Sequence, residues 1–315
     1  MPLQPVNPNA TRQAQDLLGY LYSIKGNRTL SGQHNQLYGM SRHSEEVKRI
    51  SGHYPAVWGG EWGFSDARHD TDNIAYRPAL MEQIEAQHVG GRIVVLTYHQ
   101  ANPAIGEPCG FEDGVLGNLT SDQWEQLFTP GSELHQSWEA HVDRLAEALL
   151  VLQGKKIPII FRPYHEMNGA WFWWGGEAEH FKALWHLIFD RYVTHHGLHN
   201  LLWAWNPDKP WPGVEDFYPG HETVDLLGTD IYPMEGRETY PQEWYDRMLT
   251  LAEGRPVALS ENSEVPTSEQ LDRMPWVYWM GWDNLTFKAN TDEAIQAIMN
   301  DPRVISDSIS LPANG

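Results

Sequence analysis

Residues 157–175 read IPIIFRPYHEMNGAWFWWG, and this stretch contains the pattern that decides the fold. An apolar run long enough for a buried strand ends at Arg162, and polar and aromatic side chains follow it at once. Strands without polar alternation are typical of parallel sheets that are covered on both faces. Residues 178–195 then show helical periodicity, which supplies the crossover that parallel strands need. The stretch therefore predicts one βα unit.

The same alternation runs along the whole chain. The candidate strands are residues 29–33, 56–58, 93–98, 157–162, 201–205, 224–232, 256–260 and 277–282. The candidate helices are residues 45–51, 79–88, 135–152, 178–195, 212–218, 241–252, 268–273 and 292–300. Eight such units favour an α/β fold, a single (β/α)8 TIM-barrel domain over residues 1–315. An open doubly wound sheet is the alternative, but no glycine-rich phosphate fingerprint follows the first candidate strand.

The charge balance of the chain excludes several classes of partner. There are 22 Lys and Arg residues against 42 Asp and Glu residues, which gives a formal net charge of −20. A surface this acidic repels phosphate backbones, anionic membranes and polyanionic sugars, so it favours a neutral substrate. No segment approaches the ~20 consecutive apolar residues of a membrane span. We expect a monomer with neither nucleic-acid nor membrane partners.

Cys109 is the only cysteine of the chain, so no intrachain disulfide can form. It lies in a loop rich in glycine and proline, which favours an incidental thiol over a catalytic one. The segment that begins at Met1 has neither the basic region nor the apolar region of a signal peptide. We expect a secreted, extracellular protein whose signal peptide has been removed, and a cytoplasmic location is the alternative.

Two glutamates follow predicted strands at the ends where a barrel carries its chemistry. Glu166 comes after the fourth candidate strand and Glu261 after the seventh, so both would point into one barrel mouth. Glycosidic cleavage needs a proton donor for the leaving oxygen and a second carboxylate. In a retaining enzyme the second carboxylate attacks the anomeric carbon and lies about 5–5.5 Å from the first. Glu166 and Glu261 are therefore the candidate pair of catalytic carboxyls for cleavage of a glycosidic bond.

The surroundings of these glutamates distinguish them from ordinary surface acids. Glu166 precedes a run of aromatic residues, where partial desolvation would raise its pKa toward that of a general acid. Glu261 directly follows an apolar run. Glu61 and Asp230 are rival acids at strand ends, which would instead hold sugar hydroxyls or orient a neighbour. Tryptophan clusters beside these motifs, from a total of 15 tryptophans, suit the apolar faces of pyranose rings.

Other chemistries find less support in the motifs. The chain has 15 histidines, but His195 and His196 are adjacent, and the HExxH spacing of zinc hydrolases does not occur. Neighbouring residues on a helix do not share a face, which disfavours a metal site at that pair. The GxSxG elbow and the GxxxxGK[ST] phosphate loop are also missing from the sequence. We expect no metal and no cofactor, and a non-catalytic carbohydrate-binding barrel is the alternative to an enzyme.

Residues 162–175, RPYHEMNGAWFWWG, resemble the acid/base motif of glycoside hydrolase family 26, which is best known for β-1,4-mannanases. The supporting segments are SGQH at 31–34, WGGE at 58–61, TYH at 97–99, WAWNP at 203–207 and DIY at 230–232. The resemblance extends from about residue 30 to residue 283. It implies a (β/α)8 barrel, double-displacement chemistry with retention, and a β-mannan substrate such as galactomannan or glucomannan. A β-1,3-xylanase or a mixed-linkage β-glucanase is the alternative within the family.

The resemblance also implies roles for individual residues. Glu166 maps to the acid/base and Glu261 to the nucleophile; Glu264 is a rival acid that would face another direction on a strand. The predicted substrate-binding residues are His99, His165, Trp171, Tyr232, Trp282, Glu61 and Arg162.

Four of these residues have more specific expected contacts. Tyr232 would hydrogen-bond the nucleophile, and His99 would contact the sugar bound before the cleavage point. Trp171 would stack on the leaving side, and Trp282 would form the floor beneath the cleaved sugar. Endo action is expected, unless the loop of residues 101–119 blocks one end of the cleft.

Overall fold

The computed structural model describes residues 4–36, 39–64 and 73–309, so the first residues of the N-terminal segment discussed above and the end of the predicted 1–315 domain lie outside it. The strands are β1 (Thr29–His34), β2 (Val57–Glu61), β3 (Ile93–Tyr98), β4 (Ile159–Pro163), β5 (Leu201–Trp205), β6 (Leu226–Ile231), β7 (Val257–Asn262), β8 (Tyr278–Gly281) and the short β9 (Val304–Ile305). Strands β1 to β8 pair in parallel in chain order, and β1 also pairs with β8. The sheet therefore closes, which confirms the predicted (β/α)8 barrel.

Helices connect the strands. They are α1 (Arg12–Ile24), α2 (Arg42–Ser51), α3 (Asn73–Val89), α4 (Ser121–Leu127), α5 (Glu133–Gly154), α6 (Ala178–Asp190), α7 (Gln242–Ala252), α8 (Ser268–Arg273), α9 (Leu285–Ala289) and α10 (Asp292–Met299). Within the part of the chain that is described, no helix combines the length and the apolar character needed to cross a bilayer.

The predicted strands are all present, with ends displaced by at most three residues. The prediction of a helix over residues 212–218 is wrong, because only a 3-10 turn, Val214–Phe217, forms there. Gly213 precedes this turn with a φ of +96°, and Pro219 follows closely, so no α-helix can extend in either direction. The helix predicted for residues 178–195 ends at Asp190 and continues as a π-helical turn. The sequence did not predict four of the elements, which are helices α1, α4 and α9 and strand β9.

Two buried clusters divide the interior. The inner cluster joins inward-facing strand residues to α1; its members include Val57, Val95, Ile160, Leu202, Ala258, Leu17, Leu18 and Leu21. The outer cluster lies between the strands and the surrounding helices; its members include Trp58, Leu96, Phe161, Trp203, Leu259, Trp138 and Leu149. Successive side chains on a strand point to opposite faces, so the two clusters show which strand residues face the barrel interior.

A β-bulge in β7 breaks this alternation just before Glu261. Leu259 pairs with Thr229 of β6, but Asp230 pairs with Glu261, so Ser260 is an extra residue. The Ser260 hydroxyl lies 3.1 Å from the hydroxyl of Tyr278, which belongs to the inner cluster. Ser260 and Glu261 therefore both face inward, as a bulge permits. Strict alternation from outward-facing Leu259 would have directed Ser260 inward and Glu261 outward, away from the cleft.

Candidate active site

A cleft of about 430 Å³ opens at the carboxyl ends of the barrel strands. It is lined by His34, Gln36, Glu61, Phe64, His99, Phe111, His165, Glu166, Phe172, Tyr232, Glu261, Trp282 and Asp283. Seven of the nine predicted site residues are in this lining. The other two predicted residues each contact a lining residue. Arg162 is fully buried and contacts Glu261, whereas Trp171 is 40% exposed and contacts Glu166. The predicted set is thus brought together in one place.

Glu166 is held by a backbone in an uncommon conformation. Its φ is +56°, and that of Tyr164 is +50°, so two non-glycine residues of the loop after β4 are left-handed. The amide of Glu166 donates to the carbonyl of Asn206 at 2.7 Å, which ties this loop to the end of β5. The indole Nε1 of Trp171 donates to Glu166 Oε2 at 2.9 Å. Left-handed residues of this kind are typical of loops that aim a functional side chain.

The environment of Glu166 favours its protonated form. Burial, followed by the negative charges of Glu261 and Asp208, raises its pKa to about 8, and Arg162 acts in the opposite direction. A carboxyl with such a pKa still carries its proton at neutral pH and can donate it to a leaving oxygen.

Glu261 has the opposite set of contacts, because donors surround its carboxylate. The guanidinium of Arg162 contacts Oε1, and the Tyr232 hydroxyl donates to Oε2 at 2.9 Å. Burial, and then the nearby charges of Glu261 and Asp230, raises the pKa of Tyr232 well above its usual value, so its hydroxyl remains a donor. A charged donor and a neutral donor together fix the orientation of this carboxylate.

Arg162 connects Glu261 with a second buried acid. Its Nη1 lies 3.0 Å from Asp230 Oδ2, and neither of these two side chains is exposed. Burial opposes the charge of Arg162, but Asp230 and Glu261 outweigh it and raise the pKa of the guanidinium above its usual value. The cation therefore stays charged between two carboxylates.

We expect Arg162→Met to destabilise the protein by about 3–5 kcal/mol, since it leaves buried carboxylates without their cation. Urea unfolding of the variant measures this cost, and its kcat/KM is expected to fall as well because Glu261 loses its partner. Arg191→Met is the matched control. Arg191 pairs with Asp143 and Glu139 at a partly exposed position remote from the cleft lining, so its loss is expected to cost at most about 1 kcal/mol. Equal losses for the two variants would contradict this account.

Both carboxylate oxygens of Glu61 have hydrogen-bonding partners within the protein. Its Oε1 accepts the amides of Gly63 at 2.9 Å and His99 at 3.0 Å, and its Oε2 lies 2.7 Å from His99 Nδ1. This contact places the proton of His99 on Nδ1 and fixes the ring orientation. The geometry therefore favours Glu61 as a residue that orients His99, which was one of the two roles considered for it.

His165 is a neutral buried ring beside Glu261. Burial, and then the charges of Arg162, His99 and His34, lowers its pKa well below the usual value. Its Nε2 lies 3.8 Å from Glu261 Oε1, and its ring packs edge-on against His99 with centroids 4.3 Å apart. Ligand atoms of His165, Asp230 and Glu261 lie within 4.8 Å of one another, close enough for a metal. The guanidinium of Arg162 already contacts the carboxyl groups of Asp230 and Glu261, so it supplies the positive charge that a metal ion would bring to them.

Trp282, one of the residues that line the cleft, lies flat against another ring. Its ring stacks on His34 with centroids 3.7 Å apart and an interplanar angle of 15°. The guanidinium of Arg162 lies 5.6 Å from the Trp282 ring centroid. Trp282, which follows β8, is thus contacted by one residue of β1 and one residue of β4.

The loop of residues 101–119 forms a wall of the cleft. It pairs with the loop that carries Glu166, through a bridge between Leu116 and Phe172 and a 2.9 Å bond from the Gly117 amide to the Trp171 carbonyl. Phe111 of this loop lies 6.0 Å from Phe172, ring centroid to ring centroid. The loop therefore adds an aromatic surface to the cleft.

The sequence profile of glycosyl hydrolase family 26 matches residues 6–308. This chain belongs to glycosyl hydrolase family 26. The match includes all eight barrel strands and every residue that lines the cleft. It confirms the resemblance that the motif after β4 indicated.

Relatives within family 26 include proteins of known structure. A mannan endo-1,4-β-mannosidase from Bacillus subtilis is 30% identical over 275 residues, which are 82% of this chain and 73% of that protein. The structure of GH26A from Muricauda sp. aligns with a TM-score of 0.89 and 38% identity, over 96% of this chain and 99% of that one. A β-mannanase from a symbiotic protist of the termite Reticulitermes speratus, solved with a gluco-manno-oligosaccharide, aligns with a TM-score of 0.84 and 26% identity over 96% of each chain.

Several cleft residues of this family 26 chain lie outside the set predicted from its sequence. They are His34, Gln36, Phe64, Phe111, Phe172 and Asp283. The Gln36 amide donates to Asp283 Oδ2, and His43 Nδ1 lies 2.8 Å from Asp283 Oδ1. His34 belongs to the quoted SGQH segment, and Asp283 follows Trp282, so adjacency to the motifs was the available signal for these two. Phe172 lies inside the quoted motif of residues 162–175, whereas Phe64 and Phe111 carry no such signal, because an isolated Phe in a loop is common.

Proposed function

We propose that this family 26 chain is a retaining endo-β-1,4-mannanase that hydrolyses β-mannans such as galactomannan and glucomannan. The observation that carries the proposal is the contrast between two glutamates of one cleft. Glu166 is disposed to hold a proton, whereas the carboxylate of Glu261 is held by the guanidinium of Arg162 and the hydroxyl of Tyr232. Such a division between two carboxyls is what double displacement at a glycosidic bond requires.

In the first step, Glu261 attacks the anomeric carbon and the bond to the leaving sugar breaks. Glu166 gives its proton to the departing oxygen, and a glycosyl ester of Glu261 is formed. Trp171, which bonds Glu166 and is half exposed, is positioned to stack on the leaving sugar. Arg162 and Tyr232 hold the attacking carboxylate in place.

In the second step, water attacks the ester carbon while Glu166, now ionised, takes the proton of that water. The bond to Glu261 breaks, its carboxylate is regenerated, and the sugar is released with its original configuration. Esterification of Glu261 removes one negative charge near Glu166, so Glu166 loses its proton more readily at the stage where it must act as a base.

The choice of mannan rests on the relatives and on charge. The Bacillus subtilis relative is named a mannan endo-1,4-β-mannosidase, and the termite-symbiont enzyme was solved with a gluco-manno-oligosaccharide. Mannans are neutral, so a net charge of −20 does not repel them. His99, His165 and Trp282 are the side chains we assign to the sugar beside the cleaved bond.

The compartment and assembly follow from the same proposal. A β-mannan polysaccharide is too large and too polar to cross a membrane, so we place the enzyme outside the cell. We propose a monomer with one (β/α)8 catalytic domain, in line with a cleft whose described lining comes from a single chain. No bound metal or organic cofactor takes part in either step as written.

A polysaccharide panel tests the proposed substrate. We expect mixed manno-oligosaccharides from locust-bean galactomannan and konjac glucomannan, and little product from β-1,3-xylan or barley mixed-linkage glucan. Products are resolved by size, and proton NMR of the first product is expected to show the β anomer. Mannobiose as the sole product would indicate exo action, cleavage of xylan or glucan alone would overturn the mannan assignment, and an initial α anomer would overturn retention. A panel without any cleavage would favour the carbohydrate-binding barrel.

A further inference from the structure

One arginine of α3 links the loop after β2 to the loop after β3. The guanidinium of Arg77 donates from Nη2 to the Gly63 carbonyl at 2.6 Å and from Nε to the Trp62 carbonyl at 3.1 Å. The same guanidinium donates to both carboxylate oxygens of Glu107, from Nη2 at 2.6 Å and from Nη1 at 3.1 Å. All three of its nitrogens therefore hold one loop against the other.

The carboxylate of Glu107 has two cations, and they differ in burial and in what else they contact. The side chains of Arg77 and Glu107 are 6% and 7% exposed, whereas that of Arg144 from α5, which also contacts Glu107, is 49% exposed. A buried guanidinium binds a carboxylate and backbone carbonyls at once through its planar fork. The hydrogen bonds of Arg144 to described residues do not reach the loop after β2. Arg77 is therefore the cation that joins the two loops.

Each of the two loops carries a phenyl ring that lines the cleft. Phe64 directly follows Gly63, and Phe111 lies in the same loop as Glu107; their ring centroids are 5.5 Å apart. Both rings pack edge-on against His99, with centroid distances of 6.1 Å for Phe64 and 6.0 Å for Phe111. Phe111 is 38% exposed, so part of its ring faces solvent. Phe64 and Phe111 together form an apolar surface beside His99, which we call the phenyl wall.

We infer that Arg77 is a positioning residue that holds the phenyl wall in place to bind the sugar next to His99. The inference rests on the proposed function, in which His99 is assigned to the sugar beside the cleaved bond. Aromatic rings suit the apolar faces of pyranose sugars. Phe111 carries no group that gains or loses charge in the two catalytic steps, so its contact is expected to be equal in the ground state and the transition state. The loss of such a contact raises KM and leaves kcat unchanged.

Kinetics on a manno-oligosaccharide test the inference first. We expect Phe111→Ala to raise KM about tenfold, the effect of one lost aromatic contact, with kcat within about twofold of the natural value. Arg77→Met removes the donors and keeps an unbranched side chain, and it is expected to raise KM by at least the same factor. Arg144→Met is the matched control, since it removes a cation from Glu107 and leaves the link between the loops. It is expected to change neither constant by more than about twofold.

Two kinetic outcomes contradict the inference. A lower kcat with an unchanged KM in Arg77→Met would mean that the arginine does not act on substrate binding. Equal increases of KM in Arg77→Met and Arg144→Met would mean that the charge of the pair matters and the link between the loops does not.

The double variant Arg77→Met/Phe111→Ala decides whether Arg77 acts through the phenyl wall. If Arg77 positions Phe111, the ring has already lost its place in Arg77→Met, so the added Phe111→Ala is expected to change KM by less than about twofold. In the Arg144→Met background, Phe111→Ala is expected to keep its effect of about tenfold. Effects that multiply in the Arg77→Met background would show that the two residues act independently and would overturn the inference.

Amide hydrogen exchange, followed by mass spectrometry, measures the attachment of the loop without any substrate. The Gly117 amide of this loop donates to the Trp171 carbonyl, so its exchange reports whether the loop stays attached. In Arg77→Met we expect exchange in peptides from residues 101–119 to be at least about tenfold faster, with unchanged exchange in peptides from β4. Unchanged exchange in the loop would overturn the inference, and so would equal acceleration in β4, because it would show a general loss of stability.

Glu107→Gln is the second variant, and it keeps the test decisive if Arg77→Met does not fold. It removes the charge of the acid, keeps its shape and leaves the bonds of Arg77 to the loop after β2 in place. Faster exchange in residues 101–119 and a higher KM are expected here as well, and the absence of both would overturn the inference.

The two kinds of measurement separate this inference from the proposed function. Faster exchange of the loop in a protein that cleaves no mannan would support the role of Arg77 in holding the loop and overturn the mannanase assignment. Mannan cleavage with unchanged exchange and with effects that multiply would do the reverse.

Discussion

Glu261→Ala is expected to lower kcat/KM on mannan by a factor on the order of 10⁴ to 10⁶, because removal of a nucleophile prevents the covalent step. Arg162 and Tyr232 would still hold their places, but no carboxylate would remain to attack the anomeric carbon. Azide is small enough to enter the space left by the carboxylate. With Glu166 intact as the acid, azide and a substrate with a good leaving group are expected to give an α-mannosyl azide, which NMR identifies.

Glu264→Ala is the matched control for the nucleophile. Glu264 lies three residues after Glu261, but its Oε2 accepts a hydrogen bond from the Thr239 hydroxyl at 2.7 Å, and it is not among the residues that line the cleft. Near-full activity is therefore expected for this variant. If Glu264→Ala were inactive and Glu261→Ala were active, Glu264 rather than Glu261 would be the nucleophile. Circular dichroism and a melting curve confirm that each variant is folded.

The sequence predicted that Glu261 points into the barrel mouth, but it did not predict the β-bulge that turns the side chain there. The apolar run before it predicted a buried strand, and that prediction is correct. The bulge at Ser260 is visible only in the pairing with β6 and β8, where Leu259 and Glu261 are displaced relative to their neighbours. A bulge depends on the register of three strands, which one strand's residues do not specify. The position of Glu261 after the seventh strand was therefore predictable, whereas the bulge that directs its side chain depends on the pairing of the sheet.

The barrel itself was more predictable than its rim. Each strand was visible as a local apolar run, and eight such runs in alternation with helices leave few topologies. The contacts of Asp283 are different, since Gln36 lies 247 residues away in the chain and the two meet only because β8 closes on β1. Likewise, the stacking of His34 on Trp282 depends on barrel closure. Short motifs predicted which residues gather, but not which of them touch.

The pairing of Glu61 with His99 illustrates the same limit. The sequence predicted both as residues of the cleft, and both line it. Adjacent strands β2 and β3 bring the carboxylate within 2.7 Å of the imidazole, so one residue orients the other. Chemical type and strand-end position could not distinguish a residue that contacts the sugar from one that positions its neighbour.

Glu166→Ala is expected to have an effect that depends on the leaving group. On mannan, whose leaving sugar needs a proton, kcat/KM is expected to fall by about 10²- to 10⁴-fold, the usual contribution of general acid catalysis. On a 2,4-dinitrophenyl β-mannobioside, the first step is expected to be nearly as fast as in the natural enzyme. The second step lacks its base, so a glycosyl ester of Glu261 accumulates. A burst of dinitrophenol followed by slow turnover is the measurement that shows this.

Azide distinguishes this variant from Glu261→Ala by the configuration of its product. In Glu166→Ala, azide replaces water in the second step and attacks the ester from the side that Glu166 had occupied, so a β-mannosyl azide is expected. The α anomer is expected when Glu261 is the residue removed. Opposite anomers from the two variants would establish both roles, since each residue lies on its own side of the sugar. The same anomer from both would mean that the two glutamates do not face each other across the bond, and the double-displacement assignment would then be wrong.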